Sequence, residues 1–241
     1  MSGRAFIDLH CHSAASFDCL SAPREIVRAA SERGLTHLAI TDHDRIDVAL
    51  EAGALAPAGL TIIVGEEVKT RDGDLICVFL QRAIEPGLSA IETIAAVREQ
   101  GGLVGIPHPF DRMRGSLLRD ASMAGLAPLV DWIETYNARV VGHGNDDAAA
   151  FAIKHDRPGV AVSDAHSIME IGVAYTALDG DPSTPAGLLA ALPSAEIVPG
   201  RASYVLRFWT PVAKGINRVR GNGRVRPTVS GTTAGRPDRP A

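Results

Sequence analysis

Short apolar runs alternate with helical patterns along most of this chain. Eight runs are rich in aliphatic and β-branched residues, a composition typical of strands that are buried on both faces. These runs cover residues 5–9, 37–41, 60–68, 75–80, 103–107, 132–136, 160–163 and 173–178. Alternation of such strands with helices predicts an α/β fold with a parallel sheet, either closed or open.

Four of the intervening helices have recognisable starts. The residues expected to open them are Ser21, Ser89, Asn145 and Thr184. Each has a side-chain oxygen that can accept a hydrogen bond from a free amide of the first turn. Glu92 stands three residues after Ser89, which is the spacing of a capping box. The helix that begins at Thr184 is expected to be the last one.

Composition restricts the function classes. The chain has 241 residues, 46% of them hydrophobic, and a formal net charge of −4. This hydrophobic content and net charge are ordinary for a globular protein. They do not predict sequence-independent binding to nucleic acid, which usually requires an excess of positive charge. The sequence contains neither a recognisable signal peptide nor an apolar run of membrane-spanning length, so we expect a cytoplasmic protein without a membrane or a stable nucleic-acid partner. Its three cysteines lack a disulfide or Cys-x-x-Cys pattern and are expected to be reduced.

The last part of the chain differs from the rest. Residues 214–241 are basic and rich in Gly and Pro, with almost no large apolar residue after Val219. A stretch of this kind buries too little surface to offset its ordering entropy. We therefore expect one domain over 1–213, with a core at about 5–178 and an extension over 179–213, followed by a disordered tail.

Candidate chemical residues follow the predicted strands directly. They are Asp8, His10 and His12, then Asp18 in the next turn, Asp42 and His43, Glu67, Asp74, His108, Asp164 and His166. Five of the eight histidines thus stand at strand ends with an acid nearby. The carboxyl ends of parallel strands are where α/β proteins assemble their active sites. The sequence therefore predicts a site for several metal ions, whereas His37, His143 and His155 are expected to be structural or exposed.

Residue types narrow the metal class. Imidazole suits Zn, Mn, Fe, Co or Ni, and a carboxylate can bridge two ions. Asp8 and Asp42 are either ligands or acceptors that fix imidazole tautomers, and the second role is favoured. Strand alternation points the side chain of Cys11 away from His10 and His12, which favours a packed thiol over a ligand.

These motifs together resemble a known family. The segments Asp8-Leu-His10-Cys-His12, Thr41-Asp42-His43, Gly65-Glu-Glu67, Pro107-His108-Pro109 and Ser163-Asp164-Ala-His166 are similar, in order and spacing, to those of the PHP (polymerase and histidinol phosphatase) family. The resemblance covers residues 5–178, and residues 179–213 resemble the C-terminal extension of some members. It implies a distorted, TIM-like (β/α)7 barrel with two to three divalent ions, Mn, Fe or Zn, in its mouth.

The resemblance also implies how the ligands divide among the ions. One ion would be held by His10, His12, Glu67 and Asp164. Glu67 would bridge to a second ion, which also takes His108 and Asp74, and a third would be held by Asp18, His43 and His166. Asp74 stands where relatives often have histidine, a departure that leaves the metal preference of the second site open. Asp18 stands where some relatives have histidine, and its harder carboxylate favours Mn or Fe over Zn at the third site.

The implied activity is hydrolysis of phosphate esters of a small molecule or nucleotide by metal-activated hydroxide. If its ion is absent or weakly bound, His43 or His166 would protonate the leaving oxygen. Arg112, Arg114 and Asn137 are candidate substrate-binding residues near the mouth. Three alternatives remain: 5'-3' exonuclease action on short oligonucleotides, hydrolysis of an amide bond on the same scaffold, and a non-catalytic metal-binding module.

Overall fold

The computed structural model describes residues 3–111, 121–203 and 209–224, and only the backbone of residues 121–123. Two predicted substrate-binding residues, Arg112 and Arg114, lie outside the described residues, so their predicted role is untested.

One sheet organises the described part of the chain. Its strands are β1 (Arg4–Asp8), β2 (His37–His43), β3 (Thr61–Lys69), β4 (Asp74–Val78), β5 (Leu103–Ile106), β6 (Trp132–Asn137), β7 (Gly159–Val162), β8 (Tyr175–Asp179) and β9 (Glu196–Val198). Their spatial order is β7-β6-β5-β4-β3-β2-β1-β8-β9. Each predicted apolar run overlaps one of β1–β8, whereas the short strand β9 was not predicted.

The first seven strands form a nearly closed ring. The segments that follow β1 and β7 meet in a parallel bridge between Cys11 and Ala165. On either side of it, the amide of His12 donates to the Ala165 carbonyl and the amide of Asp164 donates to the His10 carbonyl, each at 2.9 Å. β8 continues the sheet along the beginning of β1. This geometry confirms the predicted distorted seven-stranded barrel.

The predicted parallel sheet contains antiparallel strands at β8 and β9 and, within the barrel, at β4. This strand pairs antiparallel with both β3 and β5 because a tight turn at residues 70–73 returns the chain directly from β3. The reversal has a consequence for the site. Asp74, at the start of β4, lies at the same edge of the barrel as the ends of the parallel strands.

Helices cover the outside of the barrel. They are α1 (Pro23–Glu32), α2 (Asp47–Leu55), α3 (Ala90–Glu99), α4 (Gly144–Lys154), α5 (Pro185–Ala191) and α6 (Trp209–Val219), with 3-10 helices at Ala121–Leu129 and Leu192–Ser194. The caps at Ser89 and Thr184 are confirmed, since each side chain accepts an amide of the first turn. The predicted starts of α1 and α4 are wrong by one or two residues, because Ala22 and His143 occupy the N-cap positions.

The structure also changes the interpretation of the C-terminal region. A helix, α6, follows α5 and continues through Lys214, where the disordered tail was predicted to begin. Ala213 and Asn217 on this helix are buried, with 0% and 2% of their surface exposed. The described part of the predicted tail, residues 214–224, is therefore ordered, and residues 225–241 lie outside the described residues.

Trp132 fills the lower part of the barrel interior. It is completely buried within a cluster that includes Ile7, Ile76 and Val160 from the surrounding strands. Its register partner on β5 is Gly105. A Cβ at Gly105 would overlap the indole ring, so this glycine is required by packing. Among the described residues, no helix has both the length and the apolarity that a membrane crossing requires.

We predict that Gly105→Ala lowers the free energy of unfolding by at least about 1–3 kcal/mol, because the added methyl group must displace a fully buried indole. Gly53→Ala is the matched control, since Gly53 lies within α2 and a Cβ there meets no atom within 4 Å. The control should raise stability by about 0.5–1 kcal/mol through helix propensity. Urea denaturation of both variants measures the difference, and equal stability would contradict the assignment of Trp132 to the barrel interior.

Candidate metal centre

Four side chains converge at the mouth of the barrel from β1, β3 and β7. The Nε2 atoms of His10 and His12 are 3.0 Å apart. Glu67 Oε2 lies 3.5 Å from the first and 3.4 Å from the second. Asp164 Oδ1 lies 3.7 and 3.6 Å from the same two nitrogens. All four residues are buried, so these atoms face one another without solvent around them.

These separations match a coordination shell. Ligand atoms about 2.0–2.3 Å from an ion at the centre of a tetrahedron lie about 3.3–3.7 Å from one another. The measured distances run from 3.0 to 3.7 Å. Three of the four predicted ligands, His10, His12 and Glu67, therefore form one group of donor atoms, and Asp164 lies beside its two histidines.

A buried carboxylate orients the first imidazole. Glu134 Oε1 lies 2.7 Å from His10 Nδ1. Nδ1 donates to this carboxylate, and Nε2 is the nitrogen that faces the mouth. The other oxygen, Oε2, accepts from the amide of His108 at 2.9 Å and from Asn137 Nδ2 at 3.0 Å. Glu134 thus holds His10 and fixes the backbone at His108.

His12 is oriented through a hydroxyl relay. Ser16 Oγ donates to Asp42 Oδ1 at 2.6 Å and lies 3.1 Å from His12 Nδ1. A hydroxyl has one proton to donate, so Ser16 accepts from the imidazole and Nδ1 is the protonated nitrogen. Burial lowers the pKa of His12 to about 4. The imidazole is therefore neutral, which is the form that binds a cation.

A second group of donor atoms adjoins the first. One atom each from His12, Asp18, His43 and His166 lies within 4.8 Å of the others. Asp18 Oδ2 is 3.4 Å from Nε2 of both His43 and His166. His166 Nδ1 donates to the Asp164 carbonyl at 2.9 Å, which leaves Nε2 as the free acceptor. The structure therefore brings the third predicted ligand set together, with His12 close to both groups.

Both groups contain buried polar atoms that the protein leaves unsatisfied. Asp18 Oδ1, His43 Nδ1, Glu67 Oε2 and both ring nitrogens of His108 make no hydrogen bond to any described residue. Buried polar groups are nearly always paired, so each such atom requires an explanation. The donor set, all imidazole and carboxylate, fits divalent ions.

The second predicted ion has the least complete set. His108 Nε2 lies 3.4 Å from Glu67 Oε1, as a bridging role for Glu67 requires. Asp74 and Glu67 line the same cavity at the barrel mouth. The Asp74 carboxylate is already close to two cations, Arg224 Nη2 at 3.6 Å and Lys69 Nζ at 3.7 Å. Among the described residues, Asp74 belongs to neither group of ligand atoms. Its role as a ligand stays a prediction.

Comparison with known sequences decides the family. Residues 8–137 match the PHP domain, and residues 142–197 match the segment described as PHP-associated. The chain belongs to the PHP domain family. It is 33% identical over 145 residues to an uncharacterized protein of Methanocaldococcus jannaschii, a match that covers 54% of this chain and 81% of the relative. A 5'-3' exoribonuclease of Haemophilus influenzae is 45% identical over 117 residues, which make up 43% of this chain and 42% of that protein.

Solved structures confirm the PHP fold. A two-domain protein from Bacteroides vulgatus, containing a predicted PHP-like metal-dependent phosphoesterase, aligns with a TM-score of 0.67 and 18% sequence identity. The alignment covers 83% of this chain and 66% of that one. The PHP-like barrel and the clustered histidines and acids thus occur together in a metal-dependent phosphoesterase family.

The two predicted supporting acids behave differently. Asp42 holds His12 through Ser16, as described above. The expectation for Asp8 is wrong, because β1 ends there and the strand alternation that would place it beside His10 stops. Its carboxylate instead accepts from the amides of Ser163 at 3.0 Å and Gly172 at 3.3 Å, and so ties β1 to β7 and the loop beyond. Burial raises the pKa of Asp8 to about 6.

The structure also places Asn137 and Cys11, two further residues with predicted roles. Asn137 lies at the centre but donates to Glu134 and to Asp164 Oδ2, so its amide group positions ligands. Cys11 packs its thiol into the core beneath α1, as predicted. The supporting roles of Glu134 and Ser16 were not predicted from the sequence. Alternation from the buried Trp132 places Glu134 on the interior face, whereas the role of Ser16 in a Ser-rich turn has no comparable sequence signal.

We predict that Glu134→Gln weakens divalent-ion binding about 10- to 100-fold, because the amide cannot hold the His10 tautomer as a carboxylate does. Glu51→Gln is the matched control, since Glu51 is exposed on α2. Titration of Mn or Zn by calorimetry, with elemental analysis of the purified proteins, measures the effect. Equal ion affinity in the two variants would show that Glu134 does not support the centre.

Proposed function

We propose that this PHP domain protein hydrolyses phosphate esters of a small molecule or nucleotide with the aid of two to three divalent ions, Mn, Fe or Zn. The observation that carries the proposal is the pair of adjoining donor groups that share His12 and flank Glu67. His10, His12, Glu67 and Asp164 would hold one ion, Asp18, His43 and His166 another, and His108 with Glu67 a further one. When bound, such ions activate water and offset the charge that develops on phosphoryl oxygens.

The protein's own groups prepare this chemistry. Glu134, the relay from Asp42 through Ser16, and the Asp164 carbonyl hold the imidazole lone pairs of His10, His12 and His166 toward the centre. His166 donates its Nδ1 proton to the Asp164 carbonyl, so Nε2, which faces Asp18, carries no proton. His43 has carboxylates near both nitrogens, at 3.1 Å from Glu67 and 3.4 Å from Asp18, which favours its doubly protonated form. When no ion is bound by Asp18, His43 and His166, His43 is the better placed of the two histidines to protonate a leaving oxygen.

The cavity above the centre has the size of a small-molecule site. Its volume is about 420 Å³, within the usual range for ligand pockets. Asp18, His43, Glu67, Asp74 and His166 form its floor, and Lys69, Arg139, Lys214 and Arg224 contribute cations to its walls. Cations beside a cluster of metal ligands suit a substrate that carries phosphate.

Exonuclease action on short oligonucleotides is the second candidate. It is favoured by the 45% identity to the Haemophilus influenzae exoribonuclease, although that match covers under half of either chain. A short oligonucleotide would present a phosphodiester to the centre, whereas a nucleotide would present a phosphate monoester. Amide hydrolysis and a non-catalytic role are tested by the same experiment.

We predict that the purified protein releases phosphate from monoesters with Mn and that His10→Ala and Asp164→Ala each reduce kcat/KM at least about 100-fold, since each removes a ligand atom. His143→Ala is the matched histidine control, because its side chain is 91% exposed far from the ligand groups. A panel of p-nitrophenyl phosphate, mononucleotides, phosphorylated metabolites, 5'-phosphorylated oligonucleotides and cyclic amides identifies the class.

Each outcome of the panel has one meaning. Activity on monoesters that is lost with chelator and restored by Mn supports the proposal. Cleavage limited to oligonucleotides selects the exonuclease, and cleavage limited to cyclic amides selects the amide hydrolase. Fewer than two ions per chain, or equal activity of the ligand variants and the His143 control, would refute metal-dependent hydrolysis.

A further inference from the structure

The segment from Trp209 to Arg224 lies across the barrel mouth, beyond the end of both matched family segments at residue 197. Several side chains anchor it. Asn217 Nδ2 donates to the carbonyls of Ser16 and Cys19 at 3.1 and 2.9 Å, and Asn222 Nδ2 donates to the Ala14 carbonyl at 3.1 Å. These contacts bind the segment to the loop that carries Asp18.

Two further anchors join the segment to the other side of the mouth. Thr210 Oγ1 accepts from Arg139 Nη2 at 2.8 Å. Arg139 Nη1 donates to Oε1 of the buried Glu170 at 2.7 Å. At the far end, Arg224 Nε donates to Asp44 Oδ2 at 2.6 Å. The segment is thus fastened to loops on several strands, as a permanent wall of the site would be.

The segment creates a second cavity outside the first. This outer cavity has a volume of about 680 Å³ and is lined by Phe17, Pro211, Lys214, Gly215, Arg218, Gly221, Asn222, Gly223 and Arg224. Three of the described lining residues, Lys214, Arg218 and Arg224, are cations, and none is an acid. The inner cavity, by contrast, includes three acids in its floor.

The two cavities are continuous in their lining. Phe17, Pro211, Lys214 and Arg224 contribute to both. Lys214 stands at the junction, with Nζ 4.0 Å from Asp18 Oδ2 and 5.3 Å from the centre of the Phe17 ring. A molecule whose phosphoryl group lies at the metal centre can therefore extend past Lys214 into the outer cavity.

We propose that this outer cavity is an anion subsite, which binds a second acidic group, phosphate or carboxylate, on the leaving-group side of the substrate. The inference rests on the proposed phosphoesterase function and deepens it. Lys214 and Arg218 are one helical turn apart, on a different side of α6 from the buried Ala213 and Asn217, and so face the cavity together. The contact with Asp44 fixes the orientation of Arg224 at the cavity wall.

Substitution of Arg218 tests the outer subsite separately from the metal centre. It lines the outer cavity but not the inner one, so its removal leaves the walls of the metal centre unchanged. Arg220 lies two residues further on, is exposed, and lines neither cavity. Arg218→Ala therefore removes one positive charge from the subsite, and Arg220→Ala removes one positive charge from the same segment outside the subsite.

The test uses the full chain with Mn and a matched set of probes: hexyl phosphates that carry a hydroxyl, a carboxylate or a second phosphate at the far end. We predict that an acidic far end raises kcat/KM at least about tenfold over the hydroxyl, chiefly through KM, because it can accept charge-assisted hydrogen bonds from the cations of the cavity. Arg218→Ala should remove most of this advantage, and Arg220→Ala should preserve it. A comparison of the carboxylate and phosphate probes shows which acid the subsite prefers.

A binding measurement separates this inference from the proposed activity. Calorimetry with a hexane bisphosphonate, which cannot be hydrolysed, should show weaker binding to Arg218→Ala than to Arg220→Ala. If that difference appears while no probe is hydrolysed, the subsite stands and the phosphoesterase proposal fails. If the probes are hydrolysed at rates independent of the far end, or if the two variants behave alike, the subsite is overturned.

Discussion

The mouth of the barrel depends on the buried carboxylate of Glu67. Its oxygens lie 3.1–3.5 Å from nitrogens of His10, His12, His43 and His108. Burial alone raises the pKa of a carboxyl group, yet these imidazoles hold the pKa of Glu67 well below its usual range. An ionised carboxylate that is buried among imidazoles needs positive charge close by, and divalent ions would supply it.

Much of the surrounding structure can be understood as support for this arrangement. His108 and Asp164 adopt positive φ angles of 26° and 52°, which are unfavourable for residues other than glycine. Contacts to Glu134 and Asn137 hold both residues in place. The strain and the buried acids lower stability locally, and the fully packed barrel around Trp132 offsets this cost. Stability and function are thus placed at opposite ends of the same barrel.

The C-terminal helix adds cations to the mouth of the barrel. The donor groups lie within the barrel strands and their loops, whereas Lys214, Arg218 and Arg224 come from a segment beyond the matched PHP regions. Ions at the centre would serve any phosphate ester. In the proposed subsite, Lys214, Arg218 and Arg224 bind the part of the substrate that lies beyond the phosphoryl group. These C-terminal residues would select among esters, whereas the barrel residues would hold the ions.

The sequence by itself determined the family, most of the strands and the strand ends at which the candidate ligands lie, because strand ends and motif spacing are local properties of the chain. Only the tertiary structure decided what each supporting residue touches. Asp8 turned to backbone amides because its strand ends there, Ser16 became a relay because Asp42 lies beside it, and Glu134 met His10 across 124 residues of sequence. The basic C-terminal segment is the clearest case: composition alone predicted disorder, whereas Asn217 and Arg224 find partners only on loops that folding brings to the mouth.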